Sequence, residues 1–145
     1  MESTASRAAL LLSAVSFILA LAAIAGCDSS DDGGALPVAG DDSAMTDRDT
    51  PVSLSLIAND VAVAPATLDV RSLDLDPARP GAQPYLMTSA GDYFLDCLGD
   101  VRFTPASGFS GDATAEYTVA DDRGRLAEPA RIVITVRDKV PSIYF

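Results

Sequence analysis

Apolar and polar side chains alternate without a break between residues 113 and 119: Ala113, Ala115, Tyr117 and Val119 fall on one face, and Thr114, Glu116 and Thr118 on the other. Ile132, Ile134 and Val136 repeat the pattern. A period of two is what a strand with one buried face requires. No 3.6-residue helical period is present beyond Asp42, where short segments rich in Val, Ile, Thr, Tyr and Phe recur between clusters of Gly, Pro, Asn and Asp. An all-β domain follows, with strands expected over 52–57, 68–75, 85–88, 92–95, 101–104, 113–120 and 130–137. Seven such strands suit a two-sheet sandwich.

Two local details refine that expectation. The segment Leu68-Asp69-Val70-Arg71-Ser72-Leu73-Asp74-Leu75 alternates in one phase up to Val70 and in the opposite phase from Leu73, which calls for a bend or bulge near Ser72. Asp96-Cys97-Leu98-Gly99-Asp100 supplies a hairpin connection in which Gly99 can take positive φ, so the flanking strands should pair antiparallel.

The N-terminus is of another kind. Arg7 precedes an uncharged apolar run over 8–25, the layout of a secretory leader. At about 1.5 Å per residue the run reaches roughly 27 Å, just short of the ~30 Å hydrocarbon core that a spanning anchor must cross. It closes on Ile24-Ala25-Gly26-Cys27, which resembles the bacterial lipobox. That resemblance implies a lipoprotein signal peptide over 1–26 and a Cys27 thiol that receives a diacylglyceryl group, with an added N-acyl chain such as palmitate. Two acyl signals give lasting attachment where one does not, so the bilayer is the partner implied through Cys27. Asp28 resembles the sorting residue that retains lipoproteins in the inner membrane of enteric-type bacteria. Residues 27–42, built of Asp, Gly, Ser and Ala, are expected to form a lipidated flexible linker.

Charge and residue types narrow the function. Asp and Glu number 21 against 10 Lys and Arg, a net charge of −11 that repels phosphate backbones and excludes nucleic acid as a partner. There is no histidine, which removes the commonest general base and metal ligand. Gly108-Phe109-Ser110-Gly111-Asp112 lacks the last glycine of a nucleophile elbow and precedes a strand rather than a helix, so the chain is expected not to be an enzyme. With Cys27 committed to lipid, Cys97 is left as a lone thiol at a hairpin tip. No cofactor is expected. Ca²⁺ is the one ion that the acidic turns would suit, through Asp60, Asp74, Asp76, Asp121 and Asp122. Against it, Asn59-Asp60 runs into Val61-Ala62-Val63-Ala64 without an Asp-x-Asp pair, and a solvated acidic surface is the simpler reading.

From Val101 the chain reads Val-Arg-Phe-Thr-Pro, then Gly108-Phe109-Ser110-Gly111, Tyr117-Thr118-Val119, Asp121-Asp122-Arg123-Gly124 and Ile132-Val133-Ile134-Thr135-Val136. This succession resembles the cadherin-like and immunoglobulin-like repeats of bacterial surface adhesins. Leu73-Asp74-Leu75-Asp76-Pro77 and Arg79-Pro80-Gly81 are most similar to the CshA-type fibril repeat. The resemblance implies a single immunoglobulin-like (cadherin-like) antiparallel β-sandwich over 43–137, followed by an apolar C-terminal tail over 138–145. It places Tyr117 as a tyrosine corner, with its ring buried and its hydroxyl on nearby backbone. Phe109 would plug one end of the sandwich, with Gly108 and Gly111 admitting a close approach of chain to chain. Such repeats normally stand in tandem, whereas this chain carries one copy. The function implied is surface binding, adhesion or spacing in the cell envelope, through a surface protein or a glycan. A glycan would need exposed aromatics as stacking platforms, and Tyr85 and Phe94 are the candidates. An accessory subunit of an envelope assembly is the other alternative.

Overall fold

The structure, a computed structural model, describes residues 34–138. Eight strands form two four-stranded sheets. The strands are β1 (Asp42–Asp47), β2 (Val52–Ser55), β3 (Leu68–Asp74), β4 (Tyr85–Met87), β5 (Gly91–Leu95), β6 (Asp100–Pro105), β7 (Gly111–Asp121) and β8 (Ala130–Arg137), with a 3-10 turn at Leu56–Ala58. One sheet runs β1-β8-β7-β3 and the other β2-β6-β5-β4.

The alternation in β7 and β8 does what its period requires. Ala113, Ala115, Tyr117 and Val119 are buried against Ile132, Ile134 and Val136, while Thr114 and Glu116 face water. From Tyr117 onward every residue of β7 is buried, and the Thr118 hydroxyl donates to Ala127 O in the 122–129 connection at 2.8 Å. The second sheet contributes Tyr93 and Phe103, opposite each other on β5 and β6 with ring centroids 4.6 Å apart. Leu56, Leu73 and Leu75 complete the interior. At ~25 cal/mol per Å² of apolar surface removed from water, interior side chains of this size each contribute about 1.5–3 kcal/mol.

The bend expected near Ser72 is present. Leu68 and Asp69 pair with Asp121 and Ala120, then the register jumps so that Asp74 faces Thr118. Ser72 Oγ fills the break, donating to Asp69 O and accepting from Ala120 N, each at 2.6 Å. The 96–100 hairpin also forms as expected, with Gly99 at φ 90° and Asp96 Oδ1 accepting from the amides of Leu98 and Asp100.

Two expectations need correction. The sandwich has eight strands rather than seven, and it is not wholly antiparallel: β1 pairs parallel with β8, from Asp42 opposite Ile132 to Asp47 opposite Arg137. β1 is an edge strand of sequence DSAMTD in which only Thr46 is fully buried, so it carries almost no apolar alternation. A corner follows it. Asp49 takes φ 59°, and Thr46 Oγ1 donates to Thr50 O at 2.7 Å, turning the chain from the first sheet into the second. Secondly, the segment expected as linker up to residue 42 is held to the sandwich from residue 34 onward. Val38 and Val61 exchange both backbone hydrogen bonds at 2.8 and 2.9 Å, and Arg125 Nη1 donates to Gly34 O at 2.9 Å.

Candidate functional site

The outer face of the β2-β6-β5-β4 sheet carries the most exposed aromatic surface among the described residues. Inward-pointing Tyr93 and Leu95 force Phe94 outward, and β4 places Tyr85 directly opposite it. Tyr85 is 47% exposed and Phe94 55%. Phe94 is in turn opposite Arg102 on β6, and Arg102 opposite Ser53 on β2, so one row across the sheet reads Tyr85, Phe94, Arg102, Ser53. The next row carries Met87, Asp92 and Thr104, with Met87 70% exposed. Two aromatic faces flanked by a cation, a carboxylate and hydroxyls make a flat amphipathic platform.

A second cluster lies where the N-terminal segment meets the sandwich. The Tyr117 ring is fully buried, and its hydroxyl lies 2.9 Å from Gly40 O, 3.2 Å from Leu56 O and 2.8 Å from Asp60 Oδ1. Asp60 Oδ1 also accepts from Gly40 N at 2.8 Å. Gly40 is needed for close approach, since a Cβ there would come within 2.9 Å of the Asn59 side chain. Asp42, first residue of β1, sets a second carboxyl near enough for the two groups to shift each other's titration. Burial first, then the Asp60 and Asp41 charges, push Asp42 up to about 6, against the pull of the Tyr117 hydrogen bond. Burial raises Asp60 as well, and burial with the neighbouring carboxylates holds the Tyr117 phenol far above its usual range.

Residues 34–135 match the family model described as Bacterial Ig domain. The chain belongs to the bacterial Ig domain family. No curated protein matches it. A bacterial Ig domain is consistent with a surface binding or adhesion module, and such domains are usually extracellular or surface-located. Among the described residues no helix is long and apolar enough to cross a membrane.

The remaining residues singled out from sequence take these places on the bacterial Ig domain. Cys27 and Asp28 lie outside the described residues, as does the tail beyond Asp138. The five acidic residues considered for calcium are not brought together, and no group of three or more His, Cys, Asp or Glu that could hold a metal ion occurs among the described residues. Asp60 belongs to the Tyr117 cluster. Asp74 Oδ1 accepts from the amides of Asp76 and Gln83, and Asp76 pairs with Arg79 at 3.0 Å. Asp122 bonds the Thr67 amide and hydroxyl. The Asp121 side chain accepts from the amides of Arg123 and Arg125 and from Arg125 Nε at 2.8 Å. Burial would raise its carboxyl, but the Arg125 and Arg123 bonds outweigh that and hold it below the ordinary range. Asp74, Asp76, Asp121 and Asp122 are turn locks, held by nearby amides, a hydroxyl or an arginine.

Phe109 packs, half-buried, against the core. Its flanking glycines do not admit close approach: a Cβ on Gly108 would meet nothing within 4 Å, and one on Gly111 only the Phe109 ring edge at 3.9 Å. Their need is conformational, with φ of 74° and 123°. The Tyr117 hydroxyl reaches backbone 77 and 61 positions away rather than a few residues upstream, so it ties β7 to the N-terminal segment and to the 3-10 turn. Asp42 and Gly40 had no signal of their own in the sequence, because they sit in a stretch of Asp, Gly and Ala that reads as linker.

Proposed function

We propose that this chain is a cell-envelope lipoprotein, cleaved after Gly26, lipidated at Cys27 and sorted through Asp28, that presents one bacterial Ig domain for surface binding or adhesion. The observation that carries the reading is the placement of Ile24-Ala25-Gly26-Cys27, which closes an apolar leader immediately ahead of a family match beginning at residue 34. The acyl chains hold the domain on the bilayer, at the periplasmic face of the inner membrane or at the cell surface. The acidic domain itself has no affinity for anionic lipid headgroups. Leu73-Asp74-Leu75-Asp76-Pro77 supports a likeness to CshA-type repeats and through it an adhesive role. The test is the mass of the protein isolated from its native envelope, with and without Cys27→Ser. Loss of residues 1–26 together with added acyl mass is expected for the natural chain, and neither for the variant. An intact Met1 in the natural chain refutes the proposal.

A glycan as the bound partner is favoured by one specific observation, the exposed Tyr85–Phe94 row beside Arg102, Asp92 and Thr104. Sugar rings offer an apolar face to aromatic side chains and hydroxyls to the polar neighbours. Replacing both aromatics with alanine is expected to lower retention on insoluble envelope polysaccharide about tenfold, equivalent to about 1.4 kcal/mol. Unfolding stability should change by no more than ~0.5 kcal/mol, because neither side chain is in the core. Unchanged retention in a co-sedimentation assay removes the glycan reading and leaves a protein partner.

A further inference from the structure

The Tyr117 hydroxyl is surrounded by more acceptors than it has protons. It carries a single proton. Gly40 O, Leu56 O and Asp60 Oδ1 all lie within 3.2 Å of it, and the Asp42 carboxyl acts on it electrostatically. Two oxygens remain over, Asp42 Oδ2 and Asp60 Oδ2, both buried and without a hydrogen-bond partner. Two ionised carboxylates in such a place are each desolvated and repel each other, whereas a proton kept on one of them removes one charge and turns one orphaned oxygen into a donor. We propose that the Asp42 and Asp60 pair holds one proton beside the Tyr117 hydroxyl, and that its loss as pH rises loosens residues 34–42 from the sandwich.

The groups facing the pair do not offset the charge. From the N-terminal segment comes Asp41, whose Oδ1 is occupied by the Arg131 amide at 2.8 Å. From the 3-10 turn side comes Asp60 itself, and from β7 the Tyr117 phenol. Glu116 on β7 and the Arg131 side chain on β8 line a separate cleft with Leu75, Pro77 and Leu86. The charges acting on Asp42 are therefore Asp60 and Asp41, both acidic. Beyond this cluster the segment that would loosen is held by the Val38–Val61 pair, Asn59 Nδ2 to Asp41 O at 3.0 Å, the Arg131 amide to Asp41 Oδ1, Arg125 to Gly34 O, and the start of the β1–β8 pairing at Asp42.

The sign follows from linkage. Asp42 binds its proton more tightly in the folded chain, about 6 against an ordinary 3.8. The stabilisation is therefore complete below the ordinary value, declines as pH rises, and is gone above about 6. Asp60 is raised in the same direction by its own burial.

The experiment follows aspartate carboxyl ¹³C shifts and amide hydrogen exchange in the full chain in detergent solution, from about pH 5 to about pH 7.5. Asp42 and Asp60 are expected to show a shared titration step near pH 6. Across it, the amides of Val38 and Gly40 should lose protection by about tenfold after correction for the intrinsic pH dependence of exchange, while amides in β5 and β6 keep theirs. Asp42→Asn, which leaves one carboxylate in place of two, should flatten the pH dependence at Gly40. Separate titrations near the ordinary value, or an unchanged pH dependence in Asp42→Asn, overturn the proposal. So does full restoration of protection at about pH 7.5 by ~1 mM calcium, since the pair would then hold a cation in place of a proton.

Discussion

Gly91→Ala is expected to cost about 3–5 kcal/mol and to leave the domain largely unfolded at physiological temperature. Gly91 opens β5 with φ 151° and stands opposite Pro105 on β6. A Cβ at this position would overlap the Thr104 carbonyl oxygen and come within 2.8 Å of two ring carbons of Phe103. Neither neighbour can yield. Thr104 belongs to the β5–β6 ladder, and the Phe103 ring is fully buried against Tyr93. The preceding turn is equally tight, with Thr88 Oγ1 donating to Gly91 O at 2.8 Å and accepting from Gly91 N at 3.2 Å. For a domain of this length each kcal/mol shifts the melting midpoint by roughly 4–8 °C, so a fall of about 15 °C or more is expected. Gly124→Ala is the control. Gly124 has φ 77° and open space where the Cβ would go, so only the backbone preference is lost, about 1 kcal/mol. Urea unfolding of the two variants separates the effects, and equal midpoints would show that the β5–β6 approach is not tight.

That comparison also marks the limit of what residue types alone convey. Gly108, Gly111 and Gly91 are alike in sequence, each beside a turn and a strand, and the resemblance to adhesin repeats drew attention to the first two. Close approach depends on what lies across the sheet from a glycine. Only the pairing of β5 with β6 reveals that Phe103 and Thr104 stand against Gly91. Where apolar and polar residues alternate, as in β7 and β8, the sequence was sufficient, and the phase change near Ser72 predicts the bulge in β3; Tyr93-Phe94-Leu95 has no such alternation, and the structure is what makes Phe94 the outward member. β1 was illegible for the opposite reason. Its partner is β8, about 90 positions away, and its stability as a strand comes from backbone pairing at an edge rather than from apolar side chains of its own. Half of the acidic cluster was hidden with it. Asp60 was visible as a turn carboxylate, but Asp42 had no reason to be near it until β1 was placed.

Tyr117 is where those long-range contacts converge, and two substitutions divide its contribution. Tyr117→Ala removes a fully buried ring from the centre of β7, and buried aromatic-to-alanine changes cost about 3–5 kcal/mol through lost burial and the cavity left behind. Tyr117→Phe keeps the ring and removes only the hydroxyl. Gly40 O, Leu56 O and Asp60 Oδ1 then lose the one hydroxyl proton available to them, at a cost of about 1–3 kcal/mol, or roughly 4–20 °C in melting midpoint. The two losses differ in place as well as size. The alanine variant should weaken the whole sandwich, because the ring packs in its single core. In the phenylalanine variant exchange should accelerate chiefly at Val38, Gly40 and Val61, since the hydroxyl is what joins the N-terminal segment to β7 and to the 3-10 turn. A phenylalanine variant that melts within ~0.5 kcal/mol of the natural protein, with unaltered exchange at those amides, would mean that the hydroxyl bonds merely replace bonds to water and that the segment is held by its own backbone pairing.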